Sequence, residues 1–341
     1  MSEIAQHRAA EAPLLEVGGV TKHFPVRTGA LGLSRSVIKA VDDVSLTLAR
    51  GETLCLVGES GCGKSTLGKL LLRLIEPTAG TIRLEGADVT HASGAALRAF
   101  RRRVQIIFQD PLASLNPRLR ASTIVAEPLD NFGLLPARPS EKIAELLGLV
   151  GLRSETARKY PFELSGGQRQ RLGIARALSL SPQIIVADEA VSALDVSVQA
   201  QILNLLVELR DRLGLAYLFI SHDLGVVRHI AHRVAIMYLG RIVEVGDSRT
   251  IFSAPRHPYT EALIAAAPVA DPRVRRDRTV LDGEVPSLRN PPKGCAFHPR
   301  CPFAFDRCSV ETPQLRQRGP GHSVACHLDS AGTLDSTADV A

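Results

Sequence analysis

Short apolar runs alternate with longer amphipathic stretches from Leu14 to about Gly246, the pattern of a layered α/β domain built on a largely parallel sheet. Four runs read as buried strands: TLCLV (Thr53–Val57), IIVAD (Ile184–Asp188), AYLFIS (Ala216–Ser221) and VAIM (Val234–Met237). Their β-branched content and turn-rich flanks favour strand over helix. In QILNLLVELRDRL, Ile202, Leu205, Leu206 and Leu209 recur at helical spacing and predict an amphipathic helix over 199–213. Between Phe108 and Pro161, proline and glycine punctuate short helical pieces such as Ser140–Leu149, which predicts a helical insertion between strands. After Ile251 the chain turns rich in Pro and Arg, so residues 256–330 read as a separate module. Residues 1–12 and 331–341 are polar and predict a disordered leader and tail.

The punctuation between strands carries the chemistry. GESGCGKST, from Gly58 to Thr66, follows the strand TLCLV and precedes a helix with Leu67, Leu70, Leu71 and Leu74. Gly58, Gly63, Lys64 and Ser65 fit the phosphate-binding pattern G-x-x-x-x-G-K-[ST]. Glycines let the backbone curl so that successive N–H groups, including those of Glu59, Ser60, Gly61 and Cys62, can face phosphate oxygens. The helix dipole adds to that field. Lys64 would supply a charge to the β- and γ-phosphates, and Ser65 would ligate Mg²⁺. Cys62 reads as a small loop residue with no chemical role. The strand IIVADE ends in two carboxylates: Asp188 is placed to hold Mg²⁺ through water, and Glu189 to polarise an attacking water. A nucleoside triphosphate with Mg²⁺ is therefore the predicted ligand.

LSGGQ (Leu164–Gln168) stands upstream of that strand, and SHD (Ser221–Asp223) stands downstream of it. Ser165, Gly166 and Gly167 would open a helix and present backbone N–H groups and a hydroxyl to an anion. With the phosphate loop and the acidic strand, in this order, the chain resembles the ABC ATPases. That resemblance implies a mainly parallel core sheet with an antiparallel β subdomain, across residues 13–255, and a helical subdomain over about 109–165. It also implies that the Ser165–Gln168 signature faces the nucleotide of a second, homologous ATPase subunit in a head-to-tail pair. By the same resemblance, Gln109 is the glutamine that touches Mg²⁺ and the attacking water. Asp195 lies in the loop that crosses to the opposite site, His222 is the histidine that contacts the γ-phosphate, and Phe24 stacks on adenine. The chain departs from many relatives at Ala190, where they carry proline.

FQDPLASLNPR (Phe108–Arg118), ALDVSVQAQILNLL and HPYTEALIAA are similar to the ATPases of dipeptide and oligopeptide importers, above all the F-type subunit. The likeness implies two transmembrane permease subunits, an extracytoplasmic solute-binding protein, and a peripheral place on the cytoplasmic face of the membrane. Importers of nickel, glutathione or other small ligands share these stretches and stay open as alternatives.

Composition narrows this further. No run of 18 apolar residues is present, so a membrane-spanning helix is not expected. The first residues lack the apolar core of a signal peptide, which predicts a cytoplasmic chain. Aromatic residues make up 4% with no Trp, which argues against a stacking platform for single-stranded nucleic acid. The net charge of +6 discriminates little, and the run Arg98, Arg101, Arg102, Arg103 reads as a solvated helix face. A soluble ABC protein acting on DNA or ribosomes, or an export motor, is disfavoured: the chain has a single LSGGQ, no long coiled coil and no fused spans. Finally, Cys295, Cys301, Cys308 and Cys326 cluster late, at C-x5-C-x6-C and then a longer gap. The residues alone leave an iron–sulfur cluster, zinc or buried unligated thiols open; the family resemblance implies [4Fe–4S].

Overall fold

The computed structural model describes residues 12–28, 34–267, 284 and 286–328. Residues 1–11 of the expected leader and the whole 331–341 tail lie outside them. Among the described residues, twelve strands fall into two sheets. In chain order they are β1 (Leu15–Thr28), β2 (Ser34–Leu48), β3 (Thr53–Val57), β4 (Ala79–Leu84), β5 (Ala87–Asp88), β6 (Val104–Ile107), β7 (Ile184–Asp188), β8 (Ala216–Ser221), β9 (Arg233–Tyr238), β10 (Arg241–Asp247), β11 (Arg316–Gly319) and β12 (His322–Val324).

Strands β2-β1-β4-β5 form an antiparallel sheet, matching the expected antiparallel subdomain. The larger sheet runs β11-β12-β10-β9-β3-β8-β7-β6. Its β9-β3-β8-β7-β6 half is parallel throughout. The four apolar runs of the sequence are four of its five strands, β9, β3, β8 and β7. Each is buried on both faces, so no apolar–polar alternation marks it. Burying each Val, Leu or Ile side chain contributes roughly 1.5–3 kcal/mol, so this half is the rigid platform that holds the strand ends in place.

Between β6 and β7 lies the helical insertion, with helices at Ala121–Asn131 and Pro139–Leu149. Ile124, Val125, Ile143, Leu146 and Leu147 turn inward from both and share a core with Leu172 and Ile174 of the helix Gly166–Leu178. The helix Val196–Leu213 starts three residues before the predicted 199; Asp195 caps it and Gly214, in the left-handed region at φ 65°, stops it.

The C-terminal module joins the large sheet directly. β12 pairs with β10 through Glu244↔Val324 and Val245↔Ser323, and β11 follows on the edge. Glu244 is fully buried and ties three segments together. It accepts the backbone N–H groups of Arg256 (2.8 Å) and His257 (3.0 Å), and it lies 2.7 Å from His322 Nε2. A buried carboxylate is costly unless it is bonded in this way.

The arginines at 98–103 are not simply solvated. Arg101 donates to the Arg73 carbonyl (2.7 Å), Arg103 donates to Gln183 Oε1 (2.6 Å) and pairs with Glu85, and the Arg98 guanidinium stacks over Phe132. Arg102 remains exposed.

Candidate functional site

β3 ends at Val57 and the helix Lys64–Leu71 begins six residues past Gly58, so the loop between them is clamped at both ends by regular structure. Its tightness requires glycine at two places. A Cβ on Gly63, at φ 109°, would lie 2.1 Å from the Ala40 carbonyl oxygen, and one on Gly58 would lie 2.2 Å from that of Met237. No side chain fits there without moving the backbone. Lys64 Nζ donates to the carbonyls of Gly58 (2.7 Å) and Glu59 (2.8 Å), so the ammonium group is folded across the loop. Cys62 is buried beneath it, and burial pushes its thiol pKa up, which fits the filler role read from the sequence. Ser60, Gly61 and Ser65 face outward. Thr66 is half-buried.

The ends of β3, β7 and β8 lie side by side, and they bring the acidic and catalytic candidates together. Ser65 Oγ donates to Asp188 Oδ1 at 3.1 Å. Burial raises the Asp188 pKa, the Ser65 hydrogen bond opposes this, and the neighbouring Glu189 charge raises it further. These are hard oxygen donors, and the pair fits Mg²⁺.

Glu189 sits one residue on, at φ 47°. That is a strained conformation for a side chain of this size, of order 1–3 kcal/mol. It is held by Glu189 N–H donating to the Ile220 carbonyl (3.0 Å) and by Ser192 Oγ donating to the Glu189 carbonyl (3.0 Å). The turn swings the carboxylate between two side chains that lie just past the ends of β6 and β8. Gln109 Nε2 donates to Glu189 Oε2 at 2.8 Å, and His222 Nδ1 lies 3.2 Å from Glu189 Oε1. Gln109, Glu189 and His222 thus form one bonded trio, although they are 80 and 33 residues apart.

The signature residues lie elsewhere. Ser165 caps the helix Gly166–Leu178: its Oγ accepts from Gln168 N (3.3 Å), and Gln168 Oε1 accepts from Ser165 N (3.0 Å). This reciprocal capping box fixes the helix start. Among the described residues neither shares a hydrogen bond with the Glu189 trio. Gly167 packs tightly, since a Cβ there would lie 2.5 Å from Val198 Cγ1. Asp195 caps the next helix, accepting from Val198 N (3.0 Å) and Ser197 Oγ (2.8 Å), and the backbone bond from Val198 lowers its pKa. Phe24 lies on β1 opposite Ile38, half-buried, with Lys22 Nζ 5.2 Å over its ring.

Two matches decide the family. Residues 41–192 match the ABC transporter family model, and residues 243–308 match the model of the oligopeptide/dipeptide transporter C-terminal region. The chain is 59% identical over 92% of its length to a probable peptide ABC transporter ATP-binding protein, y4tS of Sinorhizobium fredii, covering 90% of that protein. The chain belongs to the ATP-binding subunits of peptide ABC transporters. It is also 51% identical to the oligopeptide transport ATP-binding protein AppF of Bacillus subtilis, across 94% of this chain and 99% of that one. Among solved structures it resembles the dimeric ATP-binding cassette MJ0796 in a post-hydrolysis state bound to ADP and Pi, at 30% identity and a TM-score of 0.61. That likeness covers 69% of this chain and 99% of the cassette. This ABC ATPase binds and hydrolyses ATP as its family does. None of its described helices is long and apolar enough to cross a membrane.

The expected [4Fe–4S] cluster finds no support. All four late cysteines are free; the Cys308 carbonyl accepts from Cys295 N (2.8 Å), and its N–H donates to the Phe305 carbonyl (2.8 Å). Among the described residues no group of three or more His, Cys, Asp or Glu side chains is arranged to hold a metal ion. Burial pushes the Cys295 thiol up to about 12 and the Cys301 thiol up to about 11, and it raises Cys326 as well. Cys295 and Cys301 lie against the main core.

Sequence reasoning missed two residues at the loop. Tyr259 Oη accepts the Glu59 backbone N–H at 3.0 Å. Arg300 donates from both terminal nitrogens to the Glu59 carboxylate, at 2.9 and 3.1 Å. The HPYTEAL stretch carries Tyr259 in plain view, but nothing local signals its partner.

Proposed function

We propose that Gly58–Thr66, Asp188 and the Gln109–Glu189–His222 trio form the ATP-hydrolysing centre of an importer subunit whose cargo is a dipeptide or oligopeptide. The observation that carries the reading is the trio: one strained carboxylate gripped by an amide and an imidazole, one residue from the Asp188–Ser65 pair. Backbone N–H groups of the loop and Lys64 Nζ bind the β- and γ-phosphates, with Lys64 exchanging the carbonyls of Gly58 and Glu59 for phosphate oxygens. Ser65, Asp188 and Gln109 hold Mg²⁺, which when bound neutralises charge on the transferring phosphoryl group. Glu189 takes a proton from the attacking water, and Gln109 and His222 fix the direction of its carboxylate. Phe24 supplies an aromatic face for adenine.

Ser165, Gly166, Gly167 and Gln168 open a helix whose N-terminus can meet an anion, and the nucleotide they complete is that of a second ATPase subunit paired head to tail. Asp195 stands beside that seam. The relatives' names support peptide cargo, and the match over residues 243–308 to the peptide-transporter C-terminal region favours it over nickel or glutathione. Two permease subunits and an extracytoplasmic binding protein complete the transporter, with this subunit peripheral on the cytoplasmic face.

Turnover in Glu189→Gln tests the centre. The expected result is a fall in kcat of about 10²–10⁴-fold with MgATP binding retained. Turnover within threefold of the parent would remove Glu189 from its role.

A further inference from the structure

The C-terminal module reaches the phosphate-binding loop from two sides, with hydrogen bonds to the loop's second residue on one and to β2 beside the loop on the other. Tyr259 accepts the Glu59 N–H (3.0 Å), and Arg300 grips the Glu59 carboxylate with two hydrogen bonds (2.9 and 3.1 Å). On the other flank the Leu288 carbonyl accepts the Lys39 N–H at 3.2 Å, next to Ala40, whose carbonyl backs Gly63. The module's residues are themselves firmly seated. Arg300 has only 5% of its side chain exposed, against 26% for Glu59. Its backbone N–H bonds the Phe297 carbonyl (2.9 Å), and Phe297 is fully buried against Tyr238, Tyr259 and His257. Glu59 in turn offers its own carbonyl to Lys64 Nζ (2.8 Å).

Two physical consequences follow. A bidentate guanidinium–carboxylate pair fixes orientation as well as distance, so the first turn of the loop is set by a segment about 240 residues downstream. The pair also cancels a negative charge on a loop whose ligand is a polyanion. Without Arg300, Glu59 would place an unpaired carboxylate beside the triphosphate, and like charges in a partly buried site repel strongly.

The geometry points to Arg300 and Tyr259 as positioning residues for the phosphate-binding loop, so that the C-terminal module sets this subunit's affinity for ATP. This rests on the nucleotide site proposed above and adds a control that the cassette alone does not contain.

Equilibrium binding of MgATP and steady-state turnover on the full chain test it. Arg300→Ala should raise the Kd and the KM for ATP about tenfold while kcat at saturating ATP stays within twofold. Arg300→Lys, which keeps the charge and loses the fork, should recover part of the affinity. Adding Glu59→Gln to Arg300→Ala should tighten binding relative to Arg300→Ala alone, because it removes the orphaned charge; a purely structural role for Arg300 would give no such rescue. Tyr259→Phe is nearly isosteric and removes only the acceptor, so it should raise the Kd several-fold even if Arg300→Ala does not fold. Parent-like Kd in Arg300→Ala, or in Tyr259→Phe where the other cannot be purified, overturns the proposal, as does absence of rescue. Lys64→Ala separates this from the underlying reading. If Lys64→Ala binds ATP like the parent, the site itself is misassigned. If only Lys64→Ala loses binding, the site stands and the module's control falls.

Discussion

The two ends of the phosphate-binding machinery are built in opposite ways. Around Glu189, itself 18% exposed, the bonds come from exposed partners: Gln109 lies open to solvent and His222 has 57% of its side chain exposed. Around Glu59, the partners are a buried guanidinium that donates and a buried phenol that accepts, backed by aromatic rings, with Phe297 at 1% exposure. Exposed side-chain bonds break cheaply, at about 0.5–1.5 kcal/mol net, or about 1.5–3 kcal/mol where one partner is charged. A packed aromatic anchor does not. The contrast teaches that the loop cradling the phosphates is meant to stay still, whereas the groups that handle water are free to let go of one another when a nucleotide or a partner offers better contacts.

Breaking the rigid side should cost most in stability. Phe297→Ala is expected to lose about 3–5 kcal/mol, seen as a lower melting temperature of the nucleotide-free chain. A loss below 1 kcal/mol would show that the junction is not an anchor. Breaking the loose side should cost turnover and spare the fold. His222→Ala removes one hydrogen bond to a carboxylate, so kcat should fall about 10–100-fold with the melting temperature unchanged. If the melting temperature drops as far as it does in Phe297→Ala, the two regions are not built differently.

A subtler test uses the overpacked helix start. Gly167→Ala drives a methyl group to within 2.5 Å of Val198 Cγ1, a clash with a side chain that can partly yield. The expected cost is about 1–3 kcal/mol, together with weaker pairing of two subunits on ATP.

Protonation should separate the regions most finely. Asp188 has a raised pKa in the folded chain because it is buried, so the folded state binds its proton more tightly than the unfolded state does. The nucleotide-free protein therefore gains stability as pH falls through that raised value, and the gain is complete below the ordinary Asp value of 3.8. His257 works the other way. Fully buried, with desolvation holding it down to about 3, it costs stability as pH falls below its ordinary value of 6.5. Between about pH 6.5 and 4, acidification should therefore loosen the module junction, and His257→Gln should flatten that dependence. An unchanged pH profile of melting in His257→Gln would contradict this.

How much of this was readable in the chain depends on sequence distance. The phosphate-binding loop was legible because its nine residues are contiguous and its strand and helix flank it directly. The four central strands were legible because burial on both faces writes continuous apolar runs. Gln109 and His222 carry no local signal. A glutamine after a strand and a histidine before an aspartate are ordinary residues, and only the family resemblance picked them out. Arg300 was invisible on both counts, because it sits in a Pro- and Cys-rich run and its partner is 241 residues away. β11 and β12 were missed for another reason: RQRG and HSV are short, mostly polar strands with too few residues to show a hydrophobic alternation. The cysteine spacing was half informative: the thiols of Cys295, Cys301, Cys308 and Cys326 come close enough to act on one another's charge, yet among the described residues no group is arranged to hold a metal ion.

The most direct measurement of the central claim is the identity of the nucleotide that remains bound when Glu189 is disabled. Glu189→Gln protein is incubated with MgATP, separated rapidly from free nucleotide, and its bound fraction extracted and resolved. ATP should be recovered essentially intact, where the parent yields ADP. Recovery of ADP from Glu189→Gln at the parent's rate would contradict the account.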